Sequence, residues 1–282
     1  MQSIPAETLA HPERHGLPRV SLGKRLRFFW GAPWAFGVMS FCFAGYLTQR
    51  ALGHFTASPA EPFKRWSTRW ARAVLGLVGI RLDVTMRTEL DPEEPVIFVV
   101  NHQNELDILT VLAGIPVPFG FMAKAALRKV PVLGSVLEES VCLFVDRSDP
   151  RRAVQSMKEA AARIREGNSV LVFCEGERSF SRRLLPFLRG AFVIAVEAGV
   201  PLVPVTVLDN YRLLDERRLL ACGGTAHLVI GEPIPTEGKS RADVSTLMEE
   251  VRSVMQAELD RAHGVSSGLA NRSTEPRVTE GR

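Results

Sequence analysis

The sequence predicts an α/β domain, with a mixed, largely parallel sheet flanked by helices, preceded by an N-terminal membrane-associated helical hairpin. Three observations predict it. Short continuous apolar runs such as Val96-Ile97-Phe98-Val99-Val100 recur along the chain, as strands buried on both faces do. Between them lie segments whose apolar residues repeat every three or four positions, the period of helices covering a sheet. Before them comes a charge-free stretch of twenty residues, Phe28 to Leu47, set among basic residues.

At 282 residues the chain has room for one sizeable domain and an appendage. The net charge of +4 is unevenly spread: residues 1–72 hold ten Lys/Arg and three Asp/Glu, a net of +7, which leaves −3 for the rest. Basic residues beside an apolar run suit an anionic lipid surface better than nucleic acid, which calls for a polar basic stripe. Cys42, Cys142, Cys174 and Cys222 show no paired spacing, so a reduced, cytosol-facing protein is the simpler expectation. No metal-ligand cluster is evident, and no metal is expected.

In chain order, residues 1–20 are polar and expected to be disordered, and 21–80 form the hairpin. Its first arm, 28–47, would reach ~30 Å as a helix, the thickness of a hydrocarbon core, although Gly31, Pro33, Gly37 and Gly45 weigh against one straight span. In the second arm Phe63, Trp66, Trp70, Val74 and Leu77 form a stripe with Lys64, Arg65, Arg69 and Arg72 between them. That composition fits a helix in the membrane interface, or one packing its aromatics on the globular domain. The catalytic domain is expected over 81–263. Strands are expected at 96–100, 141–145, 169–174, 202–207 and 226–230, and helices at 151–166, 190–198 and 241–262. Residues 264–282 are expected to be a disordered tail.

Two stretches carry chemistry. Asn101 and His102 directly follow the 96–100 strand, at the end where α/β sheets present ligands, and Asp107 is five residues on. If His102 occupies the turn and Asp107 the first turn of a helix, the carboxylate can fold back to the imidazole, fixing its tautomer and stabilising its cation for base catalysis. A His-x4-Asp spacing also arises by chance in roughly a quarter to a third of chains this long, so by itself it equally fits a structural histidine. The second stretch, Phe173-Cys174-Glu175-Gly176-Glu177-Arg178-Ser179, closes another strand. Arg178 there, and Arg147 after the 141–145 strand, offer forks suited to phosphate, or else form surface ion pairs of little consequence.

Taken in order, these blocks resemble the lysophosphatidate (1-acyl-sn-glycerol-3-phosphate) acyltransferase family of glycerolipid acyltransferases. The likeness rests on N-H-x4-D at Asn101, His102 and Asp107, and on K-x2-L and P-x2-G at Lys124, Leu127, Pro131 and Gly134. It continues with Arg147, the Phe173–Ser179 block, and Leu185 to Phe192 with Glu197 to Val205. The resemblance implies that His102, held by Asp107, deprotonates a lysolipid hydroxyl that attacks the thioester of acyl-CoA or acyl-carrier protein. No cofactor is required beyond that co-substrate. It also implies that Glu175, Gly176, Arg178, Ser179 and Arg147 bind the glycerol-phosphate end, with Lys124 assisting, at an inner (cytoplasmic) membrane with the domain facing the cytosol. The implied product is phosphatidate. Cys174 replaces the usual proline of the third block and Glu177 the usual threonine, and Leu188 stands where a lysine is common. The extra carboxylate beside Arg178 keeps open another acceptor, such as a lyso-ornithine lipid. Water as acceptor, which would make a thioester hydrolase, and a non-catalytic lipid-binding protein are the remaining alternatives.

Overall fold

A computed structural model of the chain describes residues 60–129, 142–145, 150–216 and 220–264, with scattered positions at 37–52, 134 and 137. The amino-terminal segment 1–36, the tail from 265 and Arg147 lie outside the described residues, as does most of the expected first arm of the hairpin. No helix among the described residues is long and apolar enough to cross a membrane.

The chain builds a seven-stranded sheet from β1 (Ile80–Met86), β2 (Ile97–Val100), β3 (Gly120–Lys124), β4 (Leu143–Val145), β5 (Val170–Phe173), β6 (Leu202–Leu208) and β9 (Gly224–Ile230). A separate pair, β7 (Leu214–Asp215) and β8 (Leu220–Ala221), forms a small ribbon. The order across the sheet is β1-β9-β6-β2-β5-β3-β4. Neighbours are parallel except β6 and β9, so the sheet is mixed and largely parallel, as the continuous apolar runs predict. Proline in a central strand is normally excluded because it cannot donate to the ladder. Pro204 is accommodated in β6 because β9 leaves at Ile230, after which the Gly231 N–H donates to the Pro204 carbonyl at 2.8 Å.

Side chains of the central strands alternate between two cores. Ile97, Val99, Val170 and Val172 face one layer, with α3 (Pro150–Arg165), α4 (Gly190–Ala198) and α6 (Val244–Ala262). Phe98, Val100, Leu171 and Val205 face the other, with α1 (Ala60–Leu77), α2 (Leu106–Gly114) and the single-turn α5 (Asn210–Leu213). α4 stops where expected, because Gly199 takes the left-handed conformation (φ 71°) and its N–H returns to the Ala195 carbonyl. α6 starts three residues later than expected. The Asp243 carboxylate accepts from the Ser240 N–H and Oγ, holding residues 241–243 in a turn. β1 and β3 were not anticipated: β1 alternates buried and exposed positions at the sheet edge, and β3 is only five residues of mixed character.

α1 shows why a stripe read from spacing was displaced. Its deeply buried positions are Lys64, Ala71, Val74 and Leu75, while Phe63, Trp66 and Trp70 are half-buried and Leu77 is exposed. The last carbonyls of α2 are orphaned by helix geometry and require donors. Lys64 Nζ and Thr68 Oγ1 donate to Leu112 O at 2.8 and 2.9 Å, and Arg72 donates to Ala113 O at 3.3 Å. Three residues spaced four apart on α1 thus cap α2, two of them cations at the negative end of its dipole.

Two measurements test this layer. Gly114 closes α2 against the sheet, and a Cβ there would lie 2.6 Å from Leu228 Cδ2 and 3.2 Å from Val84 Cγ2. Gly114→Ala is expected to cost about 1–3 kcal/mol in denaturant unfolding. Burial, aided by Arg72, lowers the Lys64 ammonium to about 7. Between that value and 10.5 the unfolded chain binds the extra proton, so stability relative to Lys64→Met rises with pH by about 1 kcal/mol per unit and levels off below pH 7.

Candidate active site

Three adjacent parallel strands, β6-β2-β5, deliver the site at their carboxyl ends: Asn210 after β6, His102 after β2 and Glu175 after β5. Asn101 extends β2 toward its neighbour with a side chain in place of backbone. Its amide donates to Val207 O at 3.1 Å, and Val207 N–H donates back to its oxygen at 2.7 Å. The turn that follows is therefore fixed before His102 begins.

Asp107 lies in the first turn of α2 with no exposure to solvent, and His102 Nδ1 is 2.8 Å from its Oδ2. The same oxygen accepts the Gln103 and Asn104 N–H groups at 2.5 and 2.9 Å. Oδ1 accepts the Asn210 side-chain amide at 2.9 Å, and that amide also donates to Thr110 Oγ1. A carboxylate surrounded by donors acts as an acceptor only, so Nδ1 carries the imidazole proton and Nε2 presents the lone pair. The ring is held from its face as well: it stacks on Phe173 with centroids 4.0 Å apart. The geometry orients the histidine on two axes, with Nδ1 toward Asp107 and Nε2 as the nitrogen that can take a proton.

Glu175 is buried, and its two oxygens accept the His102 N–H at 3.1 Å and the Leu185 N–H at 2.9 Å. Burial lifts its carboxyl to about 7 against the opposing pull of those two N–H groups. The structure thus places Glu175 beneath the loop that carries His102, joining it to the segment after Ser179. Gly176 adopts φ 72°, which lets the chain turn out of β5 at once. Ser179 N–H donates to His102 O at 2.8 Å, and its Oγ donates to Ser181 O at 2.9 Å. Cys174 is buried, its Sγ is 3.4 Å from Val100 O, and burial together with Glu175 pushes the thiol well above its ordinary value. Those surroundings disfavour it as a nucleophile.

Arg178 stands between two carboxylates, with NH1 2.6 Å from Glu105 Oε1 and 2.7 Å from Glu216 Oε2. Glu216 also accepts the Glu105 N–H at 2.5 Å, and the guanidinium lies 5.3 Å from the Phe180 ring centroid. Glu177, next to it in the chain, is exposed. Lys124 ends β3 with its backbone paired to Val145 of β4, two strands from β2. Arg147 lies outside the described residues, so Asp107, His102, Glu175, Gly176, Arg178 and Ser179 are the anticipated residues brought together here.

Reading the motifs alone missed Asn210, Glu105 and Glu216. A signal for Asn210 was present: Asp209-Asn210 directly follows a seven-residue strand buried throughout, where a polar pair needs a reason. Asp209 also takes a left-handed backbone, φ 58°, uncommon for a residue with a side chain. Glu105 and Glu216 are far apart in sequence and meet only through the β7–β8 ribbon, so no spacing reveals them.

Residues 81–208 match the Acyltransferase family. The chain is 38% identical over 196 residues to an uncharacterized acyltransferase of Schizosaccharomyces pombe, covering 67% of this chain and 70% of that one. It is 30% identical over 207 residues to the 1-acyl-sn-glycerol-3-phosphate acyltransferase of Saccharomyces cerevisiae, covering 72% and 68%. The human 1-acyl-sn-glycerol-3-phosphate acyltransferase alpha is 34% identical over 183 residues, 64% of each chain, so slightly under two thirds of that relative is spanned. The crystal structure of the 1-acyl-sn-glycerophosphate acyltransferase of Thermotoga maritima superposes with a TM-score of 0.71 at 23% identity. That match covers 86% of this chain and 99% of that one, and it establishes a shared fold. The chain belongs to the 1-acyl-sn-glycerol-3-phosphate acyltransferase family of acyltransferases.

Proposed function

We propose that the protein transfers a fatty acyl group from a thioester, acyl-CoA or acyl-carrier protein, to the free hydroxyl of lysophosphatidate, giving phosphatidate. The observation that carries this reading is the His102–Asp107 pair, at 2.8 Å, at the head of three parallel strands. His102 Nε2 takes the proton of the acceptor hydroxyl as the oxygen attacks the thioester carbonyl. Asp107 stabilises the resulting imidazolium. Collapse of the tetrahedral oxyanion breaks the carbon–sulfur bond, and the departing thiolate takes the proton back from His102. The atoms balance with no acyl-enzyme and no added group. His102 and Asp107 are the catalytic residues, Asn210 and Glu175 position them, and Arg178 with Arg147 and Lys124 holds the acceptor's phosphate. The site works at an inner (cytoplasmic) membrane, with the domain on the cytosolic side, where the lysolipid acceptor resides and a soluble thioester donor can reach it.

The placement of Arg178 favours a second reading of the acceptor. A phosphate at Arg178 meets the repulsion of Glu105 and Glu216, both held at one guanidinium nitrogen, whereas a head group carrying an ammonium, as in a lyso-ornithine lipid, is attracted by the same carboxylates.

A panel of lysolipids with one labelled acyl-CoA decides between the two: lysophosphatidate turnover supports the first reading, and activity confined to amine-bearing, phosphate-free acceptors replaces it. His102→Ala is expected to lose at least about 100-fold in kcat, and undiminished turnover would remove the base from the mechanism. Asn210→Ala frees one oxygen of Asp107 and is expected to lower kcat about tenfold with little change in KM. Glu175→Gln leaves one acceptor oxygen for two converging N–H groups, so it is expected to lower kcat and unfolding stability together, by about 1–3 kcal/mol in the latter.

A further inference from the structure

We propose that the loop of residues 179–189 is a docking surface for bilayers rich in anionic lipid, separate from the amino-terminal segment. Two apolar side chains stand out from it, Phe180 and Leu188, each 43% exposed. Phe180 is held there at a price in backbone conformation: φ is 48°, a left-handed state that an aromatic residue seldom adopts. Arg182, Arg183 and Arg189 are exposed around them, and no acidic residue occurs from 179 to 196. Arg189 reaches Ser245 Oγ, and neither Arg182 nor Arg183 forms an ion pair among the described residues. Exposed aromatic and aliphatic groups flanked by unpaired arginines match the interface of an anionic bilayer, where apolar groups enter the acyl boundary and cations stay with the head groups.

The loop is tied to the site by hydrogen bonds from its backbone. Ser179 and Phe180 N–H groups donate to His102 O and Gln103 O, Leu185 N–H to Glu175, and Leu188 N–H to Cys174 O. The Arg252 guanidinium donates to Leu184 O and Leu185 O from the other side. Docking through this loop therefore brings the end of the sheet that carries His102 to the lipid surface, instead of merely keeping the protein nearby. An acidic soluble protein would also meet the arginines. The exposed Phe180 and Leu188 favour the bilayer over it.

The full chain carries its own probe, because trypsin cuts after Arg182 and Arg183. Limited digestion is followed by mass spectrometry with vesicles of phosphatidylcholine alone or mixed with phosphatidylserine. Lys239 is the internal control: it lies in an exposed turn at the opposite end of the sheet, where Thr236 donates to Val200 O. Cleavage at Arg182 and Arg183 is expected to slow at least tenfold with the mixed vesicles, to recover in about 1 M salt, and to leave the Lys239 cut unchanged. Arg182→Ser with Arg183→Ser is expected to weaken partitioning onto the mixed vesicles about thirtyfold. Three outcomes overturn the proposal: equal cleavage with and without vesicles, equal slowing on neutral vesicles, or slowing by acyl-carrier protein and not by vesicles. Turnover is not measured in any arm, so its failure is distinct from failure of the acyl-transfer reading.

Discussion

The site depends on keeping one buried carboxylate fully occupied. Asp107 is shielded from water and accepts four hydrogen bonds, from the His102 ring, two successive backbone N–H groups and the Asn210 amide. A charge in that position is tolerable only with such partners, since an unpaired one costs several kcal/mol. The requirement sets the local fold: the chain after β2 must double back over the carboxylate, α2 must begin where it does, and the turn after β6 must present an asparagine. The geometry of the base follows from satisfying the acid.

The parallel sheet makes this economical. Adjacent parallel strands end at the same level, so turns after β6, β2 and β5 meet although they lie about a hundred residues apart in sequence at the extremes. Glu175 uses the same convergence for backbone instead of catalysis, joining the His102 loop to Leu185. Arg178 differs in kind. Its carboxylate partners come from the residue preceding α2 and from the residue after β7, positions at the periphery of the site, and both are paired with it in the absence of substrate.

Much of this was readable in the sequence, and the limits have physical causes. The strands β2, β5 and β6 announced themselves because burial on both faces leaves uninterrupted apolar runs. The contact between His102 and Asp107 was readable as a possibility of turn geometry. β1 and β3 escaped because an edge strand and a five-residue strand carry too little pattern. The α1 stripe misled by about one residue. Its most useful buried side chain is Lys64, whose role is set by the orphaned carbonyls of a helix more than forty positions away. Asn210 and the Glu105–Glu216 pair belong to the same class, since partners brought together only by topology leave no spacing behind.

The capping of α2 by α1 has a mechanical consequence. α2 is nine residues long, a rod of about 13 Å, with Asp107 in its first turn and the Lys64, Thr68 and Arg72 contacts at its last. At under three turns, α2 holds its capped end and its carboxylate-bearing end within one short element. The contacts from α1 thus fix one end of the helix whose other end carries the carboxylate that orients the imidazole.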